Sequence, residues 1–249
     1  MTGVALWLDT AFSGFDESIL GFCHSVAERA GSFFTPFCNF VSAFGHKGIA
    51  MIVFCVVLLL FKKTRKAGMV ASLSLIIGAL VVNVLIKPLV MRVRPYTVSK
   101  YVEWWESVGS PTEKDFSFPS GHVNCVTAVL FGVFLASGNK KRTFPVLLFP
   151  IIMCFARNYL MVHYPTDVIV ALATGSLSAV ASYSIVNGAL LKLKKTDGKL
   201  YAFISSASIT RVFAKRKGVN DGVRDDDGAE STGDEMNEKV KKNEEGKDR

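Results

Sequence analysis

The sequence predicts an all-α fold, a polytopic membrane helix bundle. About five spanning helices are expected, with N-terminal amphipathic helices before them and a disordered C-terminal tail behind. Three observations carry this. Half of the 249 residues are hydrophobic and 19 are Phe, more apolar than an ordinary soluble domain. The apolar residues gather into runs of about 15 to 25, the length on which a helix crosses a hydrocarbon layer of roughly 30 Å. The cations gather in short loops between those runs. Residues 1–191 hold 15 Lys/Arg against 9 Asp/Glu, and residues 192–249 hold 14 against 12, so most of the +8 net charge lies in the apolar part. That pattern belongs to membrane topology, and no basic patch interleaved with aromatics points to nucleic acid.

Residues 1–43 read as amphipathic, interfacial helices. Phe12, Phe15, Ile19, Cys23, Val26 and Ala30 recur at spacings of three and four, with Asp16, Glu17, Glu28 and Arg29 elsewhere on the helix. After Pro36, a shorter piece repeats the pattern through Phe37, Phe40, Val41 and Phe44. A membrane crossing here is the lesser reading, because Asp16, Glu17 and Glu28 are costly at depth. The first residues carry Asp9 and no basic stretch, so a cleavable signal peptide is not expected.

The core is expected over residues 44–191. The first span runs from Phe44 to Phe61 and the second from Ala67 to Ile86. The third runs from His122 to Ala136, the fourth from Phe144 to Tyr159 and the fifth from Asp167 to Leu191. Lys62 to Lys66, Lys140 to Arg142, and Lys192 with Lys194 and Lys195 fall on one side if the spans alternate. The positive-inside rule makes that side cytosolic. The segments 87–118 and 158–166 then face outward. Residues 192–249 form a charged cytosolic tail, largely disordered, with room for protein contacts. Cys23, Cys38, Cys55, Cys125 and Cys154 fit no metal spacing and read as buried thiols; a Cys23–Cys38 bridge is the lesser alternative.

Three polar clusters fall on the outward side. Lys87-Pro-Leu-Val-Met-Arg-Val-Arg-Pro95 puts Lys87 and Arg94 two turns apart, on one face if the helix continues, with Arg92 turned away. Pro119-Ser-Gly-His122 opens a helix whose free N–H groups suit an anion, with Ser120 as cap and Gly121 letting a phosphate approach. Arg157-Asn-Tyr-Leu-Met-Val-His163-Tyr-Pro-Thr-Asp167 places a carboxylate four residues after a histidine, where it can hold one ring nitrogen and make the other more basic. Each cluster alone is ordinary interfacial chemistry. Together they suit a phosphoryl group, with cations and N–H groups on its oxygens, one His attacking and the other protonating the leaving oxygen. Which His attacks stays open on these grounds, and no cofactor or metal is called for.

These clusters resemble the type 2 phosphatidic acid phosphatase superfamily. Lys87 through Arg94-Pro95, Pro119 through His122, and Arg157, His163 and Asp167 match its three motifs in spacing, with Ala156 where Ser is usual. The resemblance implies that His163 is the nucleophile, oriented by Asp167, and that His122 is the general acid. It implies that Lys87, Arg94, Ser120, Gly121 and Arg157 bind phosphate oxygens. The expected activity is hydrolysis of a lipid phosphate or diphosphate of the undecaprenyl diphosphate, phosphatidylglycerophosphate or phosphatidic acid type. A phosphotransferase with the same phosphohistidine, or a non-catalytic lipid-phosphate-binding membrane protein, is the alternative. Trp104 and Trp105 suit either an interfacial belt or a packed loop, and Glu103, Glu106, Glu113 and Asp115 either repel or select head groups or, as the favoured reading, form a solvated loop face.

Overall fold

The computed structural model describes residues 2–198 and residue 201, and every regular element among them is helical. The helices are α1 Gly3–Ala11, α2 Ser13–Ala43, α3 Ile49–Leu60, α4 Arg65–Ala79, α5 Lys87–Val90, α6 Ser99–Ser107, α7 Gly121–Ala136, α8 Lys140–Thr143, α9 Leu148–Tyr159 and α10 Pro165–Thr196. The tail expected over 192–249 lies almost wholly outside the described residues.

The centre is a three-helix contact of α4, α7 and α10, flanked by α3 on one side and α9 on the other. In lipid the hydrophobic effect does not drive helices together, so close packing and hydrogen bonds must. Small residues supply the closeness. A Cβ on Gly175 of α10 would stand 2.8 Å from the Asn124 carbonyl oxygen of α7, and one on Gly78 of α4 would stand 2.8 Å from Asn124 Nδ2. The Thr174 hydroxyl donates to Asn124 Oδ1 at 3.1 Å, which satisfies a polar side chain inside the bundle. Val123, Val126, Ala128 and Val129 are fully buried, so α7 is enclosed.

The outer surface is apolar. Ile52 and Val56 on α3, Ile76 on α4, Ile151 on α9 and Leu177 on α10 are all exposed. An apolar belt of this extent requires lipid as its solvent. By length and composition, three stretches are able to cross a membrane (Ser13–Leu60, Arg65–Thr97 and Pro165–Thr196), and α7 is a shorter apolar helix.

Three boundaries differ from expectation. First, α2 runs unbroken past Pro36, with its irregular point at Ala30 (φ −143°, ψ 27°). Its polar contacts all go to one end of the bundle. Asp16 meets Arg92 and Thr166, His24 stacks on Trp104, Thr35 bonds Tyr159 and Ser42 bonds Arg157. Phe15, Phe22, Phe33 and Phe40 share its opposite, exposed face. Second, α3 begins only at Ile49, because Lys47 and Gly48 take left-handed conformations (φ 49° and 68°) in the preceding turn. Third, the helix carrying Lys87 does not continue to Arg94. Residues Leu80–Ile86 widen into a π-helical turn, α5 adds one turn, and Met91 at φ 54° ends it. Lys87 and Arg94 therefore do not share a helical face.

Candidate active site

α5, the N-terminus of α7 and the N-terminus of α10 end together, and they bring the three clusters to one place. The ends carrying Lys62, Arg65, Lys140, Arg142 and Lys192 lie at the opposite end of the bundle. A cavity of about 570 Å³ opens there, lined by Lys87, Arg94, Gly121, His122 and His163 and also by the apolar Ile52, Leu75 and Ala79.

His163 is 1% exposed in the turn between α9 and α10. Its Nε2 lies 3.3 Å from Arg94 Nη1. A guanidinium only donates, so Nε2 is the acceptor and the ring proton sits on Nδ1. Nδ1 faces Ser117 Oγ at 3.4 Å and Asp167 Oδ2 at 3.5 Å. Burial, then the charges of Arg94, Arg157 and Lys87, push the His163 pKa well below the ordinary histidine range. The ring is therefore neutral, with a lone pair on Nε2 turned towards the cations.

Asp167 is completely buried at the start of α10. Its Oδ2 accepts the Tyr164 N–H at 2.9 Å and the Ser117 hydroxyl, and its Oδ1 accepts Arg92 Nη1 at 2.6 Å. Arg92 does not line the cavity, but it is not idle. It also donates to Thr166 Oγ1 at 2.7 Å, Asp16 Oδ2 at 2.8 Å and Asp9 Oδ1 at 2.8 Å, and it lies 3.9 Å over the Tyr164 ring. The N-terminal helices thus contribute two carboxylates behind Asp167. No sequence signal marked Asp9 or Asp16 beyond their cost in an apolar stretch.

The cations are buried and paired. Arg94 donates from Nη1 to Val162 O at 2.7 Å, from Nε to Asp115 O at 2.9 Å and from Nη2 to Asp115 Oδ1 at 2.6 Å. Lys87 Nζ donates to Asp115 Oδ2. Arg157 donates from Nη1 to Ser42 Oγ and from Nη2 to Glu113 Oε1, both at 2.5 Å, while its buried Nε has no partner among the described residues. Glu113 and Asp115 therefore do more than face solvent: both pair with these cations, although the Asp115 side chain stays half exposed. Burial raises the Asp115 pKa, but Lys87 and Arg94 outweigh it and hold the carboxyl below its usual range.

His122 Nε2 lies 3.7 Å from Glu113 Oε1. A Cβ on Gly45 would come within 2.7 Å of the His122 ring, so this glycine lets the loop before α3 close over it. His46 also joins the site, its ring 6.3 Å from that of His122, although nothing near it in sequence suggested company. Ser120 is buried and caps α7, accepting the Val123 N–H at 3.5 Å. At Gly121 an added Cβ would meet Asn83 Oδ1 at 3.8 Å and Lys87 Nζ at 4.0 Å, ordinary contact distances. Both tryptophans pack in the loop, Trp104 on His24 and Trp105 on Tyr96.

Known proteins resemble this chain in sequence and in fold. An undecaprenyl-diphosphatase from Sulfolobus acidocaldarius is 30% identical over 146 residues, covering 59% of this chain and 68% of that protein. A decaprenylphosphoryl-5-phosphoribose phosphatase from Mycobacterium tuberculosis is 32% identical over 149 residues, covering 59% of this chain and 78% of its own. The fold matches the crystal structure of a transmembrane PAP2 type phosphatidylglycerolphosphate phosphatase from Bacillus subtilis, with TM-score 0.58, 23% identity, and 78% and 93% of the two chains covered. It also matches LpxE of Aquifex aeolicus, with TM-score 0.53, 17% identity, and 66% and 94% coverage. The PAP2 superfamily model matches residues 67–190, the stretch that contains every motif residue above. This multi-pass membrane chain belongs to the PAP2 superfamily.

Proposed function

We propose that this chain is an integral-membrane lipid phosphatase that works through a phosphohistidine on His163. The carrying observation is that His163 Nε2 is an acceptor 3.3 Å from Arg94, with Nδ1 turned to Asp167. Nε2 attacks phosphorus, the bond from phosphorus to the leaving oxygen breaks, and His122 gives that oxygen a proton. Water then attacks the phosphohistidine with His122 taking its proton, and phosphate leaves. Lys87, Arg94, Arg157 and the N–H groups at the start of α7 neutralise the oxygens throughout. None of these steps calls on a metal ion.

The cavity's apolar lining at Leu75, Ala79 and the exposed Ile52 suits a lipid chain, which stays in the bilayer while the phosphate meets the cations. The relatives are named for undecaprenyl diphosphate, decaprenylphosphoryl-5-phosphoribose and phosphatidylglycerolphosphate, and we favour undecaprenyl diphosphate or a broad range of lipid phosphates as substrates. The positive-inside rule favours an extracytoplasmic site and a cytosolic tail, because the basic loops lie at the other end of the bundle.

Phosphate release from a panel of purified lipid phosphates and diphosphates tests the reading, with His163→Ala as control. Release is expected to survive EDTA. Equal release by the variant sinks the assignment, and strict dependence on a divalent ion counts against the mechanism. A membrane-impermeant thiol label is expected to reach Glu106→Cys from outside. Labelling only from the cytosolic side reverses the topology.

A further inference from the structure

The three cations of the site face two carboxylates of their own chain. Asp115 spreads its two oxygens over Lys87 and Arg94, as two oxygens of one phosphoryl group would. Glu113 Oε1 takes Arg157 and lies beside His122, where a third oxygen or a leaving oxygen belongs. We propose that Glu113 and Asp115 are specificity-determining residues, internal occupants of the phosphate positions that a ligand must displace. This rests on the site being a phosphate site, as argued above.

Charge and geometry give the selectivity. Three cations against two carboxylates leave one net positive charge. A terminal phosphoryl group with two negative charges and three free oxygens replaces both carboxylates at once and leaves every cation paired. A phosphodiester has one charge and two free oxygens, so it replaces only one carboxylate. The other then stays beside it as a like charge, or leaves a buried cation unpaired, which is costly.

The displacement is a side-chain movement. The backbone around both carboxylates is tied down. Trp105 Nε1 donates to Pro111 O at 2.8 Å, Tyr96 Oη donates to Glu113 O at 2.9 Å, Arg94 Nε holds Asp115 O, and Ser117 N donates to Arg92 O at 2.9 Å. The cations cannot follow, because Lys87, Arg94 and Arg157 are each at most 4% exposed. Asp115 is 52% exposed at its side chain and can rotate into water. Chain tethers and burial thus assign mobility to the carboxylates and rigidity to their partners.

The test measures binding of inorganic phosphate and of dimethyl phosphate to the purified full chain, by calorimetry, and KM for a lipid diphosphate. Asp115→Asn is expected to tighten inorganic phosphate about fivefold, the scale of one partly exposed charge pair. KM should fall with it. The double variant with Glu113→Gln should narrow the preference for inorganic over dimethyl phosphate. Unchanged or weaker phosphate binding by the variants overturns the proposal, because the carboxylates would then only organise the cations. If Asp115→Asn folds poorly, Glu113→Gln, which pairs with Arg157 alone among the cations, carries the same measurement. Binding is read without turnover. A chain that hydrolyses lipid phosphates but shows unmoved binding sinks this proposal alone, and a chain that binds phosphate but hydrolyses nothing sinks only the phosphatase reading.

Discussion

Arg92 donates from Nη1 to Asp167 Oδ1 across 2.6 Å, and this bond connects the N-terminal helices to His163. Asp9 and Asp16 hold the other guanidinium nitrogens, and Asp167 stands between Arg92 and the Nδ1 side of the His163 ring. Arg92 touches no position a substrate reaches, so its role is to position. A lysine carries the charge but cannot serve four oxygens in a plane. Arg92→Lys is expected to lower kcat by about 10- to 100-fold, the usual range for a group holding a reactive one. KM should change little. Asp16→Asn should move the same way by less. A rise in KM with kcat intact contradicts the positioning role.

His163 and His122 are separable by leaving group. His163→Ala should lose essentially all turnover on every phosphate ester, because no phosphoenzyme forms. His122→Asn should lose about 10²- to 10⁴-fold on an alkyl phosphate, the usual contribution of a general acid. On an aryl phosphate with an acidic phenol the first step needs no proton, and a rapid first burst of phenol should survive in His122→Asn. Absence of that burst would exchange the two roles.

Acid should weaken the fold through His163. Its folded pKa lies well below the usual value, held there by burial and by Arg94, Arg157 and Lys87. The unfolded chain therefore binds the proton first. The stability is intact above the unfolded value of about 6.5 and drains away as pH falls below it. The melting temperature in detergent should drop between about pH 7.5 and pH 5, and His163→Asn should drop less. Parallel curves would remove this histidine from the acid response.

The α7–α10 contact should not tolerate bulk. A Cβ on Gly175 meets the Asn124 carbonyl oxygen at 2.8 Å, and that neighbour is backbone, which cannot swing aside. Gly175→Val should destabilise by about 1–3 kcal/mol or more, as overpacking does. A melting temperature equal to that of the unsubstituted chain would show that the helices part without cost.

Much of this protein is legible along one dimension. The apolar runs forecast the helices of the core to within a few residues, because hydropathy and helical length are local properties. The motif spacings grouped Ser120 with His122, and Arg157 with His163 and Asp167, because each motif lies within about three turns of chain. What the sequence could not say is who partners whom. Arg92 meets Asp16 across 76 positions and Arg157 meets Glu113 across 44. A buried charge demands a counter-charge, but that demand names no residue until the helices pack. The same holds for Arg94, which reaches the site only because Met91 ends the helix and turns the chain. Sequence alone determined a membrane bundle with a phosphoryl-transfer motif set. Only the tertiary structure decided that two of its own carboxylates lie on the cations and that the N-terminal helices stand behind His163.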